Sequence, residues 1–232
     1  MANKKALSVL TGAGLAGAAS LAAYVFAIRR WHLRWGASDE EINRKMPGDD
    51  FISDPSYITN RAITIKAHPE EIWPWLAQMG EGRGGFYTYD WIDRMLGLKV
   101  SSATNILPEF QNLEVGDTLD INANMIVKDI EANRHLVIGT PENAPWGEST
   151  WSMVLYPMQD GRTRLVSRVR ARLTRSPQAM FWGLLLDPGQ FIMERRWLIG
   201  IKRRVEKSVK EHEAQLISGL ETDKIRTESE NQ

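Results

Sequence analysis

The chain has 232 residues, 43% of them hydrophobic, enough for one good-sized core with appendages and cramped for two. Lys plus Arg and Asp plus Glu stand at 29 each, so the overall charge gives no reason to expect a polyanionic partner such as nucleic acid. Cysteine is absent, which excludes a disulfide framework, a thiol nucleophile and a zinc-thiolate or thiolate-haem site, and favours a reducing environment.

Ala6 to Ile28 is 23 residues without a charge. About 20 apolar residues suffice to cross the hydrocarbon layer as a helix, so this stretch is expected to be one transmembrane anchor. Arg29, Arg30 and Arg34 follow it and outnumber Lys4 and Lys5 before it. That bias puts the remaining chain on the cytoplasmic side of a cell inner membrane, attached by a single pass. A cleaved signal peptide ending near Ala16-Gly17-Ala18 is the competing reading, and it leaves too short an apolar core. Trp31 and Trp35 suit either the headgroup region or packing onto the domain. Residues 1–35 are thus read as an anchor with a basic flank.

Residues 36–59 are acidic and poor in apolar side chains, as expected of a linker. Ser38-Asp39-Glu40-Glu41 has the capping-box pattern, so a short helix is expected over 39–45, broken by Pro47-Gly48. A globular domain over 60–218 follows. Asn60 to Ala67 alternates, Ile63 and Ile65 on one side and Thr64 and Lys66 on the other, which is the pattern of a half-buried strand.

From Pro69 to Gly97 three Trp, two Tyr and one Phe surround a glycine-rich turn. Pro69 suits a first helical position and Glu70 and Glu71 suit the positive helix start, so a helix begins near His68, bends at Pro74 and stops at Gly80. Four glycines in the six residues 80–85 make a tight, adaptable connection. No strand leads into them and no Gly-Lys-Ser/Thr follows, so a phosphate cradle is not indicated. A second short helix, TYDWIDRMLG, ends at Gly97.

From Val115 onward the segments DTLDIN, MIVKDIEA and HLVIGT read as strands. STWSMVLY and RTRLVSRVRARL flank Asp160-Gly161, a strong hairpin signal. In the second arm Leu165, Ser167, Val169 and Ala171 share one face; Arg164, Arg168, Arg170 and Arg172 share the other, which therefore reads as solvent-facing. Ala179 to Leu186 is apolar but too short to span a bilayer, and Asp187-Pro188-Gly189 is expected to end it. Gln190 to about Ser218 reads as a long helix with a seam of Phe191, Leu198, Ile201, Val205, Val209 and Leu216. Residues 219–232 are polar and expected to be disordered.

This order, strand, two short helices, antiparallel strands and a long C-terminal helix, resembles the helix-grip fold of the START-like, polyketide-cyclase-like (SRPBCC) superfamily. RAITIKAHPEEIWPWLAQMGEGRGGFYTYDWID, VGD, TRLVSRVR and FIMERRWLIGIKRR are similar to a membrane-anchored bacterial branch of it, over roughly residues 36–216. The resemblance implies an α+β domain in which a curved antiparallel sheet grips the long helix. It also implies an apolar cavity between them, where relatives hold lipids, sterols, polyketides or other hydrophobic ligands. It implies no single chemistry and carries over no catalytic residue.

Ligand-binding candidates therefore come from the residues themselves: Trp75, Arg83, Phe86, Tyr87, Tyr89, Trp151 and Glu194. Trp73, Trp91 and Trp146 belong to the same aromatic set, and any one aromatic is equally a core filler. Arg83, alone between glycines, suits an anionic headgroup or a bridge to Asp90 or Glu194. Glu194 lies on the seam of the last helix, where a carboxylate needs a cation such as Arg83, Arg196 or an arginine of the sheet edge, or else a proton. The leading expectation is a binding module for a hydrophobic or lipid-like molecule. The alternatives are a cyclase- or hydrolase-like enzyme with Glu194 as acid or base beside Arg83, Tyr87 or Asp90, and a structural or partner-docking domain with a filled core.

No motif asks for a cofactor. His32, His68, His135 and His212 have no metal-ligand spacing, His212 being expected to pack on the helix seam, and no G-x-S-x-G elbow or RNA-binding module occurs. Arg195, Arg196, Lys202, Arg203 and Arg204 are expected to form a basic face toward anionic lipid.

Overall fold

A computed structural model of the chain describes residue 24, residues 28–120, 124–142, 144, 147–172 and 177–230, the side chains of 177–186 and 221–230 excepted. Almost all of the proposed anchor, 6–28, lies outside the described residues, as do Pro145 and Trp146. Among the described residues no helix is long and apolar enough to cross a membrane.

The elements run α1 (Arg29–Leu33), α2 (Asp39–Asn43), β1 (Tyr57–Ile65), α3 (Pro69–Ala77), α4 (Asp90–Met95), β2 (Ile126–Glu131), β3 (His135–Gly139), β4 (Glu148–Pro157), β5 (Thr163–Arg172) and α5 (Pro177–Glu230). The fold is α+β. Five strands form one antiparallel sheet in the order β1-β5-β4-β3-β2, and the long C-terminal helix crosses one of its faces.

Local chemistry explains most element ends. Ser38 accepts from the Glu41 N–H at 3.2 Å while Glu41 accepts from the Ser38 N–H at 2.7 Å, closing the capping box that starts α2. α3 begins at Pro69, and the Glu71 carboxylate accepts the His68 N–H at 2.8 Å. β4 and β5 meet around Asp160-Gly161, where Arg162 N–H donates to the Asp160 carboxylate at 3.2 Å. The segment DTLDIN contributes an isolated bridge, Thr118 to Ile126, rather than a strand among its described residues.

The inner face of the sheet carries Ile65, Leu136, Ile138, Met153, Leu155 and Leu165, all buried. Trp197, Leu198, Ile201 and Val205 of α5 close on it, and Ile72, Trp75, Leu76 and Met79 from α3 and the turn after it seal the end. Burial of this apolar surface is the main stabilising term, at about 25 cal/mol per Å².

The outer face overturns one expectation. Arg168 is 3% exposed, because residues 36–56 pack over the strands instead of hanging as a spacer. Its Nη1 reaches Asp49 at 2.7 Å, its Nε reaches Asn60 at 2.6 Å, and its Nη2 meets the Glu41 and Ile42 carbonyls at 2.8 and 3.0 Å. Arg164 grips Glu41, and Arg170 donates to the Ile52 carbonyl. Glu41 and Asp49 of the linker are thus the counter-charges of Arg164, Arg168 and Arg170, while Arg172 pairs with Glu148 of β4. Met46, Ala62, Val154 and Val166 make a small second core beneath it.

α5 is longer at both ends than the periodicity predicts. It runs through Asp187-Pro188-Gly189, where a proline was expected to stop it, since the buried Asp187 side chain is fixed by Arg29 at 2.8 Å and Tyr57 at 2.6 Å. Tertiary bonds there outweigh the local breaker, which removes one helical hydrogen bond. It also continues past Gly219 to Glu230, where disorder was expected; one helical glycine costs about 1 kcal/mol and does not end a helix by itself. The buried seam ends near Val209. Leu216 is 55% exposed and His212 is exposed rather than packed.

Candidate functional site

Between the inner face of the sheet and α5 lies a cavity of about 340 Å³, within the size range of small-molecule sites. Phe86, Leu98, Met125, Ile138, Val169 and Met193 give it apolar walls. Trp151 from β4 and Trp197 from α5 meet edge to face at 4.7 Å between ring centroids and form its aromatic side. Polar groups come from Thr88, Asp93, Thr140, Ser149, Thr150, Gln190 and Glu194.

Glu194 is tied on both oxygens. Ser167 Oγ donates to Oε1 at 2.6 Å, and Ser167 in turn accepts the Trp151 indole N–H at 2.8 Å. Oε2 takes Arg61 Nη1 and, at 2.6 Å, the Gln190 amide. Arg61 is fully buried on the inner side of β1, stacks 5.3 Å from the Phe191 centroid, and donates through Nε to the His32 carbonyl at 2.9 Å. The cation of Glu194 is therefore Arg61, on the edge strand β1 and so the sheet-edge arginine among the expected partners, and neither Arg83 nor Arg196. Arg61 was legible: it sits two residues before Ile63 and four before Ile65 in the alternation, on the same face.

The chain of polar contacts continues away from the cavity. Gln190 Oε1 accepts from Arg61 at 2.7 Å, and the Tyr57 hydroxyl donates to Asp187, which also holds Arg29. Burial first, and then Asp187, push the Tyr57 phenol well above its ordinary range. Burial likewise lowers His32, against the opposing pull of Asp187, so its imidazole is biased to the neutral form.

Of the seven predicted ligand residues, Phe86, Trp151 and Glu194 line this cavity. Trp75 does not. It is buried on the opposite side of the segment, edge to face with Tyr87 at 6.0 Å, and borders a separate groove with Ile106, Arg203, Arg204 and Lys207. The Tyr87 hydroxyl donates to the Trp75 carbonyl at 2.9 Å, and its ring lies under Arg204. Tyr87 has φ 56°, a left-handed conformation uncommon outside glycine, and Gly200 of α5 crosses directly over its carbonyl. Tyr89 caps α4 and carries Arg196 on its ring.

Arg83 is also committed elsewhere. Its Nη2 donates to the carbonyls of Ala77 and Phe110 at 2.9 and 3.1 Å, and the guanidinium lies 4.8 Å from the Phe110 centroid. Burial lowers its pKa, against the weaker opposing charge of Asp117. The glycine turn is a packed clasp rather than an adaptable connection. Gly80 and Gly85 bond each other in both directions at 3.1 and 3.0 Å, and a Cβ on Gly80 would meet the Leu119 carbonyl at 2.6 Å.

The residue that sequence reasoning passed over is Asp93. It is 4% exposed, turned into the cavity by a six-residue helix whose Trp91, Met95 and Leu96 point outward. Thr88 Oγ donates to its Oδ2, and no cation touches it among the described residues. Burial raises its pKa, the neighbouring Asp90 adds to that, and Thr88 and Arg94 oppose it. In sequence it resembles any acid of an exposed first turn.

No family model and no curated protein matches the chain. Solved structures are similar in part. Protein NE0264 of Nitrosomonas europaea is 11% identical over 65% of this chain and 95% of its own, with a TM-score of 0.44. Protein MLL2253 of Mesorhizobium loti is 14% identical over 65% of this chain and 98% of its own, with a TM-score of 0.38. DynU16, a protein of the dynemicin biosynthetic locus, is 13% identical over 62% of this chain and 46% of its own, with a TM-score of 0.34.

Proposed function

We propose that the chain is a binding module that holds a hydrophobic or lipid-like small molecule between the sheet and α5, in the manner of helix-grip, START-like (SRPBCC) domains, tethered to a membrane by residues 6–28. The cavity carries this reading: about 340 Å³ of space walled mainly by apolar and aromatic side chains, where a filled core would leave none. Trp91, Met95 and Leu96 add exposed apolar surface on the outer side of the helix that supplies Asp93, which suits a wall turned toward a membrane. The positive flank at Arg29, Arg30 and Arg34 favours the cytoplasmic side of an inner membrane.

An acid–base role for Glu194 has less support, because Arg61, Gln190 and Ser167 already occupy its oxygens. Mass spectrometry of lipids retained by the purified full chain, with uptake of a fluorescent lipid, tests the binding reading. Trp151→Ala is expected to lose the ligand and Trp75→Ala to keep it. A protein that retains nothing apolar and takes up none ends this reading. Protease digestion of the domain only from the outer side of oriented vesicles ends the cytoplasmic assignment.

A further inference from the structure

The cavity has a charge character that its apolar walls conceal. Two carboxyls, Asp93 and Glu194, reach it, and no Lys, Arg or His lines it among the described residues. Glu194 is neutralised by Arg61 behind the wall. Asp93 is not neutralised. Among the described residues its one side-chain hydrogen bond comes from a neutral hydroxyl, Thr88, on Oδ2, and none of them donates to Oδ1. Arg94, next in sequence, turns away and donates to the Val100 carbonyl at 3.3 Å.

A buried carboxylate without a counter-charge is costly unless something in the site supplies one. A second feature points the same way: the rings of Phe86, Trp151 and Trp197 line the same space, and aromatic faces attract a cation in a desolvated site. A ligand carboxylate or phosphate would meet the like charge of Asp93 and no lining cation among the described residues, only neutral donors such as Thr140, Ser149 and Thr150. Resting on the binding reading above, we infer that the ligand's polar end is a protonated amine, held by Asp93 with Thr88 beside it, its apolar body lying against Trp151 and Trp197. The upward bias of the Asp93 pKa, caused first by burial, agrees with this geometry.

The test compares phenylbutylamine, phenylbutanol and phenylbutanoate, which share a body and differ in the polar end, by calorimetric titration of the full chain. The amine is expected to bind at least tenfold more tightly than the alcohol, and the carboxylate most weakly. Asp93→Asn, close in shape and able to keep the Thr88 contact, is expected to abolish the preference for the amine over the alcohol. Asp93→Glu is expected to restore part of it, with circular dichroism checking that both variants fold. Equal or tighter binding of alcohol or carboxylate overturns the inference, as does an amine preference that survives Asp93→Asn; both leave the apolar-ligand reading standing. Failure of all three to bind, or binding unaffected by Trp151→Ala, overturns that reading and the inference together.

Discussion

The Arg61 guanidinium and the Glu194 carboxylate join β1 to α5 as an ion pair in which both side chains are buried. Removing one partner of such a pair strands the other charge in the core, which costs about 3–5 kcal/mol. Glu194→Gln and Arg61→Met are each expected to lose that much in urea unfolding, and Arg61→Met with Glu194→Leu to recover much of it. If Glu194→Gln unfolds like the parent, the pair is not the clamp described here.

Asp93 should make the protein less stable at neutral pH than its asparagine variant. Its folded-state pKa lies above the ordinary 3.8, so its contribution is fully favourable below that value and is lost as pH rises through the folded value. Asp93→Asn is expected to raise the melting temperature at pH 7 and to lose this advantage below pH 3.8. An unchanged difference across that range would contradict the burial argument.

Glu41 behaves in the opposite sense. Burial alone would raise it, but hydrogen bonds from Arg164 and Ser38 and the Arg164 charge outweigh burial and hold it below its ordinary 4.5. Its stabilisation is present above that value and disappears as pH falls through the lower folded value. Hydrogen exchange at residues 36–46 should accelerate in that acidic range, and Glu41→Gln should show the acceleration already at neutral pH. Exchange indifferent to both changes would detach Glu41 from the packing of this segment.

Gly200→Ala places a methyl group against the Tyr87 carbonyl. Overpacking of this kind costs about 1–3 kcal/mol. Thermal unfolding measures the loss, while Gly219→Ala, with open space around it, should be neutral or slightly stabilising. Equal effects at the two glycines would refute the close crossing.

The sheet was legible where one strand carried its own instruction. Alternation in β5, the Asp-Gly turn and the capping box at Ser38 each depend on neighbours in sequence. The arginine stripe was misread because alternation separates two faces without saying what covers either. Four of the seven expected ligand residues fall away from the cavity, Trp75 and Tyr87 for a similar reason. Trp75, Phe86 and Tyr87 lie within one aromatic run, yet the positive φ at Tyr87 turns it from the cavity that Phe86 lines toward the carbonyl of Trp75. Asp93 was missed because six residues are too few for a buried side to show as a periodic pattern.

The contacts of Arg29 with Asp187 and of Arg61 with the His32 carbonyl have a mechanical consequence. With residues 36–56 laid on the sheet as well, no slack chain separates α1 from the globular body. If residues 6–28 sit in a bilayer, the chain that follows them, 29–56, is held against the body instead of forming a leash. Inserting a flexible segment at Gly36 would then supply that leash without touching the cavity.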